Sequence, residues 1–338
     1  MTSEEKGFLF KDIKEYNKYL LTLVCCLILV LTGVISYAVT NSYAKWNSGY
    51  TSSNTLKIIA TKKKLADEIM NKKDLNGLEV VTHDIDSTLR VDSRFATEYR
   101  YRGGNTSVNN YVMFNNEIWR IIGIMPVEDV KGNVENKIKI IRENTFDDSF
   151  NWSNNGSNNW AISTLNDYLN TTYYNSLSTD AKSMISTAKY YLGGYNGYPQ
   201  ITSDVMWRYE REAGGSMFFY GSNAPTLVSE NRKIALMYVS DYGYAASKEC
   251  TTTLYGYASD KMCNTSGNWL FSGKSEWLLA HCAANSYSAY PLLSNGNVDT
   301  GYNIGYYKLY VRPVLYLVSD IKISGGIGSN DDPYILSI

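Results

Sequence analysis

The chain has 338 residues, of which 44% are hydrophobic and 19% are charged, and its formal net charge is -1. This length can bury a sizeable core, and the balanced charge gives no basic surface of the kind that nucleic acids require. Nucleic acid is therefore not an expected partner. One large domain is expected behind an N-terminal segment.

The N-terminal segment contains an apolar run from Tyr19 to Thr40 without a charged residue. A helix of this length spans the roughly 30 Å hydrocarbon core of a bilayer, so the run predicts a transmembrane helix that serves as an uncleaved signal anchor. A cleaved signal peptide is the alternative, because Ser42-Tyr43-Ala44 has small residues at a spacing that suits cleavage. The length of the run favours the anchor, since the apolar part of a signal peptide is usually shorter.

The lysines that flank this run predict its orientation. Four precede it and two follow within a comparable distance: Lys6, Lys11, Lys14, Lys18, and then Lys45 and Lys57. Because positive charge is retained on the cytoplasmic side, residues 1–18 are predicted to form a cytoplasmic tail and the chain after Thr40 to be extracytoplasmic. The expected location is the cell membrane, crossed once, with the lipid bilayer as a partner.

Residues 41–98 are predicted to form a stalk helix and a connector. From Thr55 to Lys73, four apolar residues lie near one face of a helix, namely Ile58, Leu65, Ile69 and Met70. The following residues, 78–93, are polar with scattered aliphatic side chains, which is typical of a connector. The main domain is therefore predicted to cover residues 99–338.

The main domain is predicted to open with strands. Tyr111 to Phe114 and Glu117 to Ile124 are rich in β-branched and aromatic residues, and Asn115-Asn116 between them favours a tight turn, so the pair predicts a hairpin. Lys137 to Arg142 alternates in the manner of a third strand.

Helices are predicted next. Ile162, Leu165 and Leu169 recur at helical spacing, Ser178 can cap a second helix, and Ser203 to Glu212 predicts a third short helix.

Short strands and long loops are predicted after the helices. The strand-like runs cover residues 233–247, 276–282, 306–320 and 321–338. Strands followed by helices and then by irregular strands indicate the α+β class. A doubly wound fold is not expected, because strands and helices do not alternate and no glycine-rich phosphate loop follows a strand.

Several stretches together resemble one family of proteins: NNYVMFNNEIWRIIGI, NWAISTLNDYLN, ALMYVSDYGYA, the loop from Cys250 to Cys263, and the ending VRPVLYLVSDIKISGGIGSNDDPYIL. They resemble membrane-anchored surface proteins of low-GC Gram-positive bacteria. The domain of that family is similar to the C-type-lectin-like fold, which formylglycine-generating-type enzymes and retroelement-diversified binding proteins share. The resemblance implies such a fold over residues 99–338.

Cys250 and Cys263 bracket a polar loop. In an exported domain a disulfide between them is expected, and two free thiols are the alternative. Zinc is not expected because no close Cys/His set accompanies them, and no loop matches a calcium-binding EF-hand. No metal or other cofactor is predicted.

The residues bear on two further functions, an enzyme and an assembly subunit. Formylglycine-generating enzymes use a pair of cysteines, but Cys263 and Cys282 lie in no matching motif, and neither histidine adjoins a recognisable nucleophile, so an enzyme is not expected. A pseudopilin-like assembly subunit is the main alternative. Lys6-Gly7-Phe8 with Asp12 resembles a prepilin cleavage site, although charged residues separate Gly7 from the apolar run.

Binding is predicted on the segment from Asn285 to Tyr310, which concentrates Tyr, Asn, Ser and Gly as adaptable binding loops do. A composition effect is the alternative, because the whole chain has 30 tyrosines. The predicted ligand-binding residues are Tyr287, Tyr290, Asn295, Asn297, Asp299, Tyr302, Asn303, Tyr306 and Tyr307. The predicted function is a membrane-tethered extracytoplasmic module for ligand binding or adhesion, with a glycan or a protein as its ligand.

Overall fold

The computed structural model describes residues 16–25, 27–32, 62–73, 77–195, 201–212 and 229–338. The chain divides into two compact units, Met1–Thr61 and Lys62–Ile338. Residues 16–25 and 27–32 of the first unit are helical. Within the ranges given above, the structure has no helix that is both long and apolar enough to cross a membrane. Residues 33–40 of the predicted anchor, and the proposed cleavage sites, lie outside the described residues.

The second unit contains both helices and many strands, in agreement with the predicted mixture. Its α-helices are α1 (Leu65–Asn71), α2 (Thr164–Tyr168), α3 (Tyr174–Ser176), α4 (Thr179–Met184), α5 (Ser203–Arg211) and α6 (Val239–Ala245). A π-helical turn, Leu169–Tyr173, joins α2 to α3. The strands are β1 (Leu78–Thr82), β2 (Thr97–Tyr101), β3 (Tyr111–Phe114), β4 (Glu117–Glu128), β5 (Val134–Arg142), β6 (Ile185–Ser186), β7 (Ala188–Tyr191), β8 (Ser229–Arg232), β9 (Ile234–Ala235), β10 (Glu276–His281), β11 (Ser288–Leu292), β12 (Tyr302–Asn303), β13 (Val314–Leu317), β14 (Lys322–Gly325) and β15 (Tyr334–Ser337).

One large sheet organises this unit. Its strand order is β14-β15-β3-β4-β5-β13-β6, β2 joins β1 to β4, and β9 pairs with β13. The pairing of β15 with β3 is parallel, whereas the neighbouring pairs β3–β4, β4–β5 and β5–β13 are antiparallel. Smaller sheets are formed by β10-β11-β12 and by β7-β8. The last strands of the chain thus lie beside the first hairpin.

The predicted hairpin is confirmed in β3 and β4. Asn115 and Asn116 form its turn with φ values of 51° and 62°, which asparagine tolerates better than most residues. The predicted third strand is also confirmed as β5, which pairs with β4 from Trp119↔Arg142 to Glu128↔Val134. Both strands are longer than their apolar runs, because pairing continues beyond the segments that show a β pattern.

The segment predicted as stalk and connector is part of the folded domain. Leu65 and Ile69 of α1 are 0% exposed, and the Leu65 N–H donates to the Ile321 carbonyl at 2.9 Å. Strand β1 pairs along its whole length with β2. The compact unit therefore begins at Lys62 rather than at residue 99, because the apolar face of α1 fills the core of its own domain.

Residues 239–245 are helical, so the prediction of a strand there was wrong. The Asp241 carboxylate accepts a hydrogen bond from the Tyr238 N–H at 2.8 Å, which caps the first turn of α6. Every residue of α6 is buried. A segment that is buried on all sides shows no periodicity that distinguishes a helix from a strand.

The other helix predictions are confirmed in their position. Ser178 caps α4 by accepting from the Ala181 N–H at 3.1 Å, and α5 covers Ser203–Arg211. Ile162, which was predicted on the buried face of a helix, instead lies in a 3-10 turn and is 59% exposed.

Candidate functional site

The segment predicted to bind, residues 285–310, is built on two short strands. β11 and β12 pair in the register Ser288↔Asn303 and Ala289↔Tyr302. All five residues of β11 are buried. The exposed part of the segment therefore lies mainly in the loops before β11 and after β12.

The tyrosines of this segment divide into two groups. Tyr287, Tyr306 and Tyr307 are 54%, 78% and 42% exposed, whereas Tyr290 is 0% exposed. The Tyr290 hydroxyl donates to the Tyr195 carbonyl at 2.8 Å. Tyr290 is a core residue, so its assignment to the ligand-binding surface was wrong. Residue composition alone does not tell a buried tyrosine from an exposed one.

Tyr302, Tyr306 and Tyr307 form a surface group that we call the tyrosine cluster. The ring centroids of Tyr302 and Tyr307 are 4.6 Å apart, and those of Tyr306 and Tyr307 are 5.0 Å apart in an edge-to-face arrangement. Burial raises the pKa of Tyr302, and the negative charge of Asp299 adds to this rise. Tyr302 therefore favours its neutral phenol form and has the Asp299 carboxylate nearby.

Two asparagines hold the cluster in place. The Asn303 side-chain oxygen accepts from the backbone N–H groups of Gly305 and Tyr306 at 3.0 and 3.1 Å. The Asn151 side chain donates to the carbonyls of Gly305 and Tyr307 at 2.8 and 3.0 Å. Asn303 therefore shapes the loop, and Asn151, which no sequence pattern indicated, connects it to a distant part of the chain.

The remaining predicted residues use their side chains to accept from backbone N–H groups, two in their own loop and one in the 3-10 helix Leu254–Ser259. The Asn295 side chain accepts from the Asn297 N–H at 3.1 Å, Asn297 accepts from the Ala258 N–H at 2.6 Å, and Asp299 accepts from the Thr300 N–H at 2.6 Å. These bonds order the loop between β11 and β12. They leave fewer free polar groups for a ligand than the sequence suggests.

Two grooves are lined in part by residues of α2. The first, of about 670 Å³, is lined by Asn155, Ala161, Ile162, Ser163, Thr164, Asn166, Asp167, Asn170, Thr171 and Arg232. The second, of about 290 Å³, is lined by Ser149, Phe150, Asn151, Asn154, Thr164, Leu165, Tyr168 and Lys308. Thr164 lines both grooves, and Asn151 links the second one to the tyrosine cluster. The two grooves are thus lined mainly by amides and hydroxyls, and the second also has the rings of Phe150 and Tyr168.

The two cysteines that bracket the polar loop form a disulfide bond, Cys250–Cys263, with 13 residues of sequence separation. Closure of a loop of this size contributes about 3 kcal/mol in the chain-entropy account. Cys282 is a buried free thiol, and burial raises its pKa. The disulfide closes the loop between Cys250 and Cys263, which follows α6 in the chain.

Neither histidine belongs to the tyrosine cluster or lines the two grooves. His83 is 4% exposed, stacks on Trp207 at 3.6 Å between ring centroids, and lies 3.2 Å from the Glu98 carboxylate. His281 is 3% exposed, and burial lowers its pKa to about 4. Both are therefore core residues. Among the side chains that the structure describes, no group of three or more His, Cys, Asp or Glu is placed to hold a metal ion.

A buried charge cluster lies in the core, and no sequence motif indicated it. Arg100 donates to Glu98 at 2.6 Å and to Asp241 at 2.9 Å, and Lys139 donates to Asp241 at 2.5 Å. The four side chains are at most 2% exposed. Glu98 also accepts from the Trp207 indole at 3.1 Å. No sequence motif indicates this cluster because its four side chains come from β2, β5 and α6, which are far apart in the chain.

Comparison of the chain with known protein families, with curated proteins and with solved structures gave no match.

Proposed function

We propose that this chain is a membrane-tethered extracytoplasmic module for ligand binding or adhesion. The observation that carries the proposal is the tyrosine cluster, whose exposed Tyr306 and Tyr307 are held by Asn151 and Asn303 beside a polar groove. Aromatic rings that are fixed before binding offer contact area at a low cost in conformational entropy.

A glycan or a polar protein segment suits this surface. Tyrosine rings stack on the apolar faces of sugars and peptides, and the amides and hydroxyls of the grooves both donate and accept hydrogen bonds. The long loops and the mainly antiparallel sheet support a C-type-lectin-like domain, which is the fold we propose. The uncharged run from Tyr19 to Thr40 and the lysines before it support tethering with the N-terminus in the cytoplasm.

Alanine substitution in the tyrosine cluster tests the binding site. The wild-type chain is screened against arrays of glycans and of cell-surface proteins, and Tyr306→Ala and Tyr307→Ala are then measured against any ligand found. Each substitution is expected to weaken binding by about 2 kcal/mol, or roughly 30-fold, because rigid aromatic anchors dominate such interfaces.

The matched control is Tyr255→Ala, which removes a tyrosine that is 37% exposed in the 3-10 helix Leu254–Ser259. This variant should bind as the wild type does. Equal losses in all three variants, or no loss in the two cluster variants, would contradict the proposed site.

The proposed topology is tested with protease on intact cells whose wall has been removed. The domain after Thr40 is expected to be cleaved from the cells, while a cytoplasmic marker protein stays intact. Full protection of the domain until the cells are lysed would refute an extracytoplasmic location.

A further inference from the structure

Lys139 and Asp241 form the closest contact of the buried charge cluster. The Lys139 Nζ atom lies 2.5 Å from Oδ2 of Asp241, and both side chains are 0% exposed. The two residues are 102 positions apart in the sequence. The fold, and not local geometry, therefore brings this amine and this carboxyl group together.

Rigid elements carry both groups. Lys139 lies in β5, which is paired with β4 on one side and β13 on the other, and Asp241 lies in α6, whose residues are all buried. The Asp241 carboxyl group is held by three donors, since Oδ2 also accepts from the Tyr238 N–H and Oδ1 accepts from Arg100. Such an arrangement holds the reacting groups at a constant short distance.

The surroundings exclude water from the pair. The Lys139 Nζ lies 4.4 Å from the ring centroid of Tyr238 and 5.4 Å from that of Tyr316. Burial lowers the pKa of Lys139, which favours the neutral amine that acts as a nucleophile. Burial also opposes ionisation of Asp241, although the charges of Lys139 and Arg100 lower its pKa overall.

We propose that Lys139 and Asp241 condense to an intramolecular isopeptide bond. A proton passes from the ammonium group to Oδ2, and the resulting amine attacks Cγ. The Nζ–Cγ bond forms, the Cγ–Oδ2 bond breaks, and Oδ2 leaves as water with a second proton from the nitrogen. Oδ1 becomes the amide oxygen, and no oxidant or other reactant is needed.

Arg100 is placed to assist this step. Its Nη1 donates to Oδ1 at 2.9 Å, where negative charge develops when the amine adds to Cγ. Condensation removes one positive and one negative charge from the core. The net charge of the cluster is therefore unchanged, and Arg100 still has Glu98 as its ion-pair partner. It also removes the cost of keeping the Lys139 and Asp241 ions away from water.

Mass spectrometry of the full-length chain tests the proposal. After denaturation and reduction of the disulfide, the wild-type protein should be lighter than its sequence by the mass of one water molecule. Proteolysis should yield a branched peptide that joins the segments containing Lys139 and Asp241. A Lys139→Arg variant, whose guanidinium does not acylate, should lack both features.

The internal control is the pair of Lys189 and Glu128, which lie 2.9 Å apart at a partly exposed position. This pair should give two separate peptides. The proposal is overturned if the wild-type peptides of Lys139 and Asp241 are recovered separately and unmodified, or if the control pair is linked to the same extent. The wild-type peptide map decides the question even where a variant does not fold.

Discussion

Replacement of Arg100 by methionine is expected to lower the free energy of unfolding by about 3–5 kcal/mol at neutral pH, because it breaks a buried ion pair and leaves the partner charge in the core. The Arg100 side chain is 1% exposed and lies 2.6 Å from the Glu98 carboxylate. Without Arg100, the remaining partners of the Glu98 carboxylate are His83, the Trp207 indole and the more distant Arg211 at 4.0 Å. The measurement is denaturant unfolding of both proteins.

The difference in unfolding free energy between the wild type and the Arg100→Met variant should depend on pH. In the wild type, burial opposes the charge on Glu98, but the attraction of Arg100, His83 and Arg211 holds its pKa well below the usual value. A lowered carboxyl pKa gives stability that is present above the unfolded-state pKa and is lost as the pH falls through the folded-state pKa. The wild type should therefore lose stability in acid. The variant should lose less, because its Glu98 already binds a proton more readily.

Arg94 supplies the control for this prediction. Its ion pair with Asp92 has a similar distance of 2.7 Å, but both side chains are more than half exposed. Arg94→Met should change the free energy of unfolding by no more than about 0.5 kcal/mol. A similar, small effect of both substitutions would mean that the buried cluster does not stabilise the fold.

Truncation of Leu315 to alanine is expected to cost roughly 2–5 kcal/mol of unfolding free energy. Leu315 is 0% exposed in β13, where it pairs with Ile140 on one side and with Ile234 on the other. Because strands enclose it on both sides, the surroundings cannot easily collapse into the space left by the side chain. The change in the denaturation midpoint at an unchanged slope measures this cost.

Tyr306 provides the contrast to Leu315. It is 78% exposed, so Tyr306→Ala should change stability by no more than about 0.5 kcal/mol. If Tyr306→Ala destabilises the domain as strongly as Leu315→Ala, then the tyrosine cluster belongs to the core, and the proposed binding surface is wrong.

Local sequence patterns predicted the structure correctly where the interacting residues are close together in the sequence. The hairpin of β3 and β4 was predictable because Asn115 and Asn116 tolerate positive φ and both flanking runs are rich in strand formers. The helix after Ser178 was predictable because the Ser178 side chain accepts from the Ala181 N–H, three positions further along the chain.

Local patterns failed where burial is complete. Lys139 lies in a run that alternates apolar and charged residues, which is typical of a strand with one solvent-exposed face. Its side chain is nevertheless 0% exposed. Val239–Ala245 is buried on all sides and forms a helix in a segment that was predicted as a strand. In both places, partners that are remote in the sequence decide the outcome.

The sequence by itself determined the mixed class of the domain, the hairpin, the helix cap at Ser178 and the apolar run at the N-terminus, because each depends on propensity, capping or length within one segment. Only the tertiary structure decided that α1 and β1 belong to the domain, that Tyr290 is buried while Tyr306 is exposed, and that Lys139 meets Asp241. These features depend on contacts between segments that are far apart in the chain. Such contacts are fixed by the packing of the whole core, which no single segment encodes.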